Sequence, residues 1–252
     1  MIHNIAHRGA SAYEPENTLR AFERAIEMGA TMLELDVHLS RDGRVVVIHD
    51  PDLARTTDGE GHVADLPLAE IRRFDAGLGE RVPILEEVIE LVRGRAQLYV
   101  ELKGQRTPAP VVDALRRTTF LDGAILGSFY PWLPQRAKFL EPAVRTSVLI
   151  RAADREASFI EWVLAVEADY VHPCWEHASP APHQLLTAAL IAAIRQQGLG
   201  IVVWHEERPE ELRELVRLDV DGICTNTPDL LASILRTNPK HDLALQNNVS
   251  SR

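Results

Sequence analysis

Cysteine is scarce in this 252-residue chain, which carries only Cys174 and Cys224. One separated pair is not a disulfide framework, and both residues fall inside apparent strands, so they read as buried thiols in a reducing compartment. Long apolar runs are missing as well. No stretch approaches the roughly 18 apolar residues of a membrane-spanning helix, and the N-terminal segment holds no apolar run long enough for a secretion signal. A cytoplasmic protein without stable membrane insertion is expected. Basic charge is in deficit, with 27 Lys and Arg against 37 Asp and Glu and a net charge of −10. Such a surface is not drawn to nucleic acid or to anionic membrane, although a local basic pocket is compatible with it. No glycine-rich phosphate loop follows the first apolar strand, which weakens a doubly wound nucleotide-binding sheet.

What is present is an alternation. Short apolar runs at 4–7, 32–38, 97–103, 124–129, 145–149, 170–172, 200–204 and 222–225 read as strands. Amphipathic stretches at 18–28, 85–93, 110–117, 132–139, 158–166, 183–197, 209–217 and 229–235 read as helices between them. This order, in a chain of 252 residues that is 46% apolar, predicts an α/β protein with a single (β/α)8 TIM barrel over residues 1–237. Asn17 is placed to cap the first helix, Gly29 to stop it, and Gly198 to stop the helix at 183–197. After the second strand, Arg41-Asp42-Gly43-Arg44 reads as a turn into an extra extended run at 45–48. A small insertion at about 51–82 follows, suited to covering the barrel mouth. Residues 238–252 are polar and aperiodic, and a flexible tail is expected there.

Charge sits on the strands in a telling way. In Met32-Leu33-Glu34-Leu35-Asp36-Val37, residues two apart share a face, so Glu34 and Asp36 point one way while Leu33, Leu35 and Val37 point the other. Glu101 and Lys103 repeat the pattern against Leu98, Val100 and Leu102. A lone strand carboxylate is ordinarily a surface charge or an ion-pair partner. Two such strands, flanked by His7-Arg8-Gly9 and His49-Asp50, argue instead for groups gathered at a barrel mouth, where like charges call for a cation and histidines can exchange protons near neutral pH.

His7-Arg8-Gly9, Pro15-Glu16-Asn17-Thr18, Glu34-Leu35-Asp36-Val37, Asp42-Gly43, His49-Asp50, Pro83-Ile84-Leu85-Glu86-Glu87, Glu101-Leu102-Lys103 and Asp221-Gly222-Ile223, in this order, resemble the signature of the glycerophosphodiester phosphodiesterase family. The resemblance spans about residues 3–235. It implies a (β/α)8 barrel that uses one divalent cation, Mg2+ or Ca2+, to cleave glycerophosphodiesters into sn-glycerol 3-phosphate and an alcohol. By that resemblance Glu34, Asp36 and Glu101 are metal ligands, His7 the general base, and His49 the general acid. Arg8 and Lys103 hold the phosphate, and Trp204 contacts the glycerol. The reaction it implies runs through a cyclic phosphate, so no protein nucleophile is needed.

For Arg8 and Lys103 the competing reading is an ion pair at the barrel end. Ser128 reads as structural or substrate-contacting, and Phe129, Trp132, His172 and Trp175 as pocket lining or core. His3, His62, His177, His183 and His241 read as surface residues. His205-Glu206 departs from the family's usual continuation after the tryptophan, which touches substrate preference rather than the reaction. A lysophospholipase D-like activity would need an apolar channel that the sequence does not display, and a non-catalytic phospholigand-binding barrel would not need all five acid–base and metal positions. The expected partner is a small glycerophosphodiester; these motifs do not encode an oligomeric state.

Overall fold

The computed structural model describes residues 1–155 and 158–237, so the expected tail at 238–252 lies outside the described residues. Among the described residues, one sheet holds β1 (His3–His7), β2 (Met32–Leu39), β3 (Val45–Val47), β4 (Gln97–Leu102), β5 (Ala124–Ser128), β6 (Arg145–Arg151), β7 (Tyr170–Cys174), β8 (Gly200–Val203) and β9 (Gly222–Thr225). All but β3 run parallel, and the pairing of β1 with both β9 and β2 closes them into an eight-stranded barrel. β3 is the extra extended run anticipated after the second strand; it lies antiparallel on β2, with Val47 opposite Val37.

The strands alternate, and each face has a use. Ile5, Met32, Tyr99, Ile125, Leu149, Val202 and Cys224 point inward and fill the barrel. Gly127 makes room for the largest of them, because a Cβ there would lie 2.5 Å from the Tyr99 hydroxyl oxygen. Residues one step along, among them Ala6, Leu33, Leu35, Val37, Val100 and Leu126, face outward and bury against the helical layer. That layer consists of α1 (Leu19–Glu27), α3 (Leu85–Val92), α4 (Pro108–Arg117), α5 (Trp132–Leu140), α6 (Phe159–Ala165), α7 (Ala188–Gln196), α8 (Pro209–Leu215) and α9 (Pro228–Arg236), with the short α2 (Leu68–Ile71) in the insertion. Helix α1 shows why these segments dock: Ala21, Phe22 and Ala25 lie on one face and are buried. Burying a side chain the size of Phe22 contributes about 2–3 kcal/mol.

The continuous helix expected at 183–197 is broken. Residues Pro182–Leu185 make a 3-10 turn, Leu186 takes φ −87° and ψ 65°, and α7 starts after Thr187. The Thr187 hydroxyl accepts from Leu190 N at 3.2 Å. A threonine that can cap a new helix competes with continuation of the old one, which apolar periodicity does not register.

The segment between β3 and α3 carries its own small core of Leu53, Val63, Leu68, Ile71, Ala76 and Val82 packed on Val46 and Ile48. It therefore stands as a compact flap beside the barrel mouth. Among the described residues, no helix is long and apolar enough to cross a membrane.

Candidate active site

Register does the first part of the assembly. β1 pairs His7 with Glu34, and β2 pairs Asp36 with Glu101, so groups far apart in sequence become neighbours at the carboxyl ends of three adjacent strands. One carboxylate oxygen from each of Glu34, Asp36 and Glu101 lies within 4.8 Å of the others. All three residues are buried, at 0%, 0% and 1% exposure.

Two cations face these three carboxylates. Lys103 Nζ sits 2.7 Å from Glu101 Oε1 and 3.1 Å from Asp36 Oδ1, and Arg8 Nε lies 3.2 Å from Asp36 Oδ2. The ion pairs weighed against a phosphate role for Arg8 and Lys103 are thus present. They leave a deficit of positive charge. Burial, then repulsion from Asp36 and Glu101, raises Glu34 well above the usual carboxylate range. Burial likewise pushes Glu101 up to about 7 against the pull of Lys103. Burial acts the same way on Asp36, yet Lys103 and Arg8 hold it well below its ordinary value. Glu34 Oε1 and Glu101 Oε2 are buried without a hydrogen-bond partner. A hard, oxygen-only donor set with two vacant buried lone-pair sites and unneutralised charge fits a divalent cation such as Mg2+ or Ca2+.

Backbone strain is spent on the same groups. Arg8 and Asn17 are non-glycine residues at positive φ, 56° and 57°. The left-handed turn at Arg8 aims its N–H at Glu34 Oε2, 2.9 Å away. Gly9 follows at φ +83°, where a Cβ would lie 2.7 Å from the Ala21 carbonyl carbon, so only glycine fits between the turn and α1. Asn17 does not cap α1. Thr18 does, its hydroxyl accepting from Ala21 N at 3.1 Å. Asn17 turns inward, where its Nδ2 donates to Asp36 Oδ2 at 2.9 Å.

His7 is buried and bracketed. Its Nδ1 pairs with Asn226 Oδ1 at 2.7 Å, so with the amide oxygen facing the ring, Nδ1 carries the proton and Nε2 keeps its lone pair. Nε2 has no hydrogen-bond partner and lies 4.0 Å from Glu34 Oε2. Burial, then the Arg8 charge, lowers the His7 pKa well below 6.5, favouring neutral imidazole. Trp204 meets the His7 ring edge-on at 5.0 Å, and His205 stacks on it at 4.6 Å.

His49 follows β3 and is placed through the backbone: Ile48 N donates to Asp36 O at 3.0 Å, and His38 Nε2 lies 3.0 Å from His49 O. Its Nδ1 meets Asp50 Oδ1 at 2.5 Å. Burial lowers the His49 pKa while Asp36 and Asp50 oppose the fall. Arg55, from the insertion, bonds Asp50 Oδ2 at 2.5 Å and grips Glu16 at 2.8 and 2.9 Å, and Glu16 accepts from Arg8 at 3.0 Å. The insertion therefore reaches the mouth through one arginine.

A cavity of about 380 Å³ opens on this centre, lined by His7, Arg8, Ser11, Ala12, Glu16, His205, Glu207 and Asn226. A neighbouring cavity of about 570 Å³ shares the His205 and Glu207 wall. Glu207 Oε1 accepts from Asn226 N at 3.0 Å and sits 3.1 Å from His205 Nδ1, so it braces two of the residues that contact His7. The sequence reading missed Asn226, Glu207 and the insertion's Arg55. Asn226 had a signal, since it continues the inward alternation of Gly222 and Cys224. Other candidates fall away from the chemistry. Ser128 Oγ donates to Leu102 O at 2.7 Å and accepts from Tyr130 N, so it is structural. His172 is buried in the barrel with Nδ1 2.8 Å from the Tyr99 hydroxyl, and Trp175 is buried against Phe159. His183, expected at the surface, is sheltered by Glu211 at 2.7 Å; His241 lies outside the described residues.

Fold and site together define a (β/α)8 barrel with a cation-ready acidic mouth beside two histidines. The chain belongs to the glycerophosphoryl diester phosphodiesterase family, whose sequence profile matches residues 7–230. It is 34% identical over 245 residues to the glycerophosphodiester phosphodiesterase of Caldanaerobacter subterraneus subsp. tengcongensis, covering 92% of this chain and 97% of that one. The crystal structure of glycerophosphodiester phosphodiesterase from Agrobacterium tumefaciens superposes with a TM-score of 0.81 at 33% identity, over 92% of this chain and all (100%) of the other. An Oleispira antarctica phosphodiesterase in complex with the product sn-glycerol-3-phosphate superposes with a TM-score of 0.83 at 27% identity, over 92% and 96% of the two chains.

Proposed function

We propose that this chain hydrolyses glycerophosphodiesters to sn-glycerol 3-phosphate and an alcohol, with residues 1–237 acting as one catalytic barrel. The observation that carries the reading is the meeting of a buried, charge-deficient carboxylate triad with a neutral His7 whose Nε2 is open. Glu34, Asp36 and Glu101 would hold one Mg2+ or Ca2+. When bound, that ion supplies positive charge where negative charge develops on the phosphate oxygens.

The remaining chemistry belongs to side chains. Arg8 and Lys103 neutralise the phosphate. His7 Nε2 takes the proton of the glycerol hydroxyl adjacent to the phosphate, and that oxygen attacks phosphorus. The bond from phosphorus to the head-group oxygen breaks, and His49, supported at Nδ1 by Asp50, gives that oxygen a proton. In the second half His49 takes a proton from water as it attacks the cyclic phosphate. His7 then returns its proton to the departing glycerol oxygen. Trp204 beside His7 forms an apolar wall for the glycerol carbons. A reducing cytoplasm suits the two free thiols, Cys174 and Cys224.

The test is incubation with glycerophosphocholine, glycerophosphoethanolamine or glycerophosphoglycerol and Mg2+ or Ca2+, with product read by coupling to glycerol-3-phosphate dehydrogenase. Metal-dependent product formation is expected. No product with any head group and either metal overturns the reading.

A further inference from the structure

We propose that Asn17 is a positioning residue for the metal centre, fixing the rotation of the Asp36 carboxylate so that the triad is set before a cation arrives. The proposal rests on the metal reading of Glu34, Asp36 and Glu101, and adds a residue that holds one ligand without touching the ion.

Two contacts join the same pair of residues in opposite senses. Asn17 Nδ2 donates to Asp36 Oδ2 at 2.9 Å, and Asn17 Oδ1 accepts from Asp36 N at 3.4 Å. A carboxylate oxygen only accepts and a backbone N–H only donates, so the amide orientation is determined at both ends. The amide therefore ties the Asp36 side chain to its own backbone. With Oδ2 occupied by Asn17 and by Arg8 Nε at 3.2 Å, Oδ1 is the oxygen left toward Lys103 and the triad.

The chain accepts a cost to keep this contact. Asn17 holds φ +57°, a left-handed conformation that asparagine tolerates better than other side chains, and it is 3% exposed. Its N–H donates to Arg8 O at 3.0 Å, joining the two strained residues. The helix-capping duty that asparagine would otherwise serve is taken by its neighbour Thr18. What remains for Asn17 is Asp36. Groups that orient a metal ligand from behind typically affect affinity by about 10- to 100-fold.

The experiment measures Ca2+ and Mg2+ binding by isothermal titration calorimetry, with no substrate present, and thermal unfolding in EDTA. Asn17→Gly keeps the left-handed backbone and removes the amide; Asn17→Ser has a hydroxyl too short to span both Asp36 groups. Either folded variant is expected to bind the ion about 10- to 100-fold more weakly than the parent. Thr18→Ala, which disturbs the same segment by uncapping α1, should lower the unfolding midpoint in EDTA and leave ion affinity unchanged. Parental affinity in either folded Asn17 variant, or an equal loss in Thr18→Ala, overturns the proposal. Collapse of both Asn17 variants in EDTA also overturns it, by making the residue a fold requirement. An absence of ion binding by the parent protein instead strikes the metal reading itself.

Discussion

His7 and His49 meet the same need in different surroundings. His7 is buried, and its Nδ1 is committed to Asn226, so only Nε2 can act. His49 is partly open, and although burial lowers its pKa, Asp36 and the Asp50 carboxylate at Nδ1 oppose the fall. With His7 and His49 as the proposed base and acid, replacing either with alanine removes one proton transfer, so His7→Ala and His49→Ala should each lower kcat by about 10²- to 10⁴-fold. Circular dichroism and the metal-induced rise in unfolding temperature should persist, and unchanged turnover in both variants would remove the assigned base and acid. His172 differs from both: burial lowers its pKa to about 3. A folded value below the unfolded 6.5 means that the unfolded chain binds the proton first. Its contribution to stability is complete above about pH 6.5 and is lost as pH falls toward 3, by up to about 1.4 kcal/mol per pH unit. Denaturant titrations of His172→Gln between pH 6.5 and 4.5 should show a shallower loss than the parent, and parallel slopes would place that proton elsewhere. The clustered carboxylates were legible from period-two alternation because a carboxylate on an apolar strand is conspicuous. Asn17 was not, since an amide declares its purpose only through the residue it faces across a turn, and Asn226, though it keeps the inward alternation, carries no charge to make it conspicuous.

At the scale of elements, parallel register turns three strand motifs into one centre, and the insertion supplies its rim. The strand pattern and the extra run at 45–48 could be read because apolar periodicity records which face is buried. The break at Thr187 could not, since one capping hydroxyl overrides the periodicity around it. Nor could the link between the insertion and the two sides of the mouth, which runs through the side chain of Arg55. Arg55 ties Asp50 behind His49 to Glu16 beside Arg8, while the insertion's own core of Leu53, Ile71 and Val82 needs no arginine. Arg55→Ala should therefore leave the insertion folded but loosen His49 and Arg8 together. Misplacement of such groups by even an ångström costs on the order of 10²-fold, so a fall of about 10- to 100-fold in kcat/KM is expected. Limited proteolysis at the parental rate would confirm an intact insertion, and a variant with parental kcat/KM would reduce this bridge to surface decoration.

Across the whole molecule, the site is built against its own stability. A barrel interior that buries Glu34, Asp36 and Glu101 together removes three carboxylates from water and sets them within 4.8 Å of one another, with Lys103 and Arg8 as partial compensation. Desolvation and repulsion are borne by the fold as a whole, and an ion that binds only the closed barrel returns that free energy at unfolding. At a free ion concentration of 100 times the Kd, binding adds about 2.7 kcal/mol. For a chain of this size that corresponds to a rise of about 5–10 °C in Tm. Glu101→Gln separates the two effects, because it removes one buried charge and keeps nearly the same shape. In EDTA the variant should melt at or above the parental temperature, since Glu101 no longer repels Asp36. With millimolar Mg2+ or Ca2+ it should gain little, because one ligand charge is gone. The order of the two proteins should therefore reverse on adding ion. Differential scanning calorimetry with and without EDTA reads the reversal directly, and parallel shifts in both proteins would mean that the ion binds somewhere other than the triad.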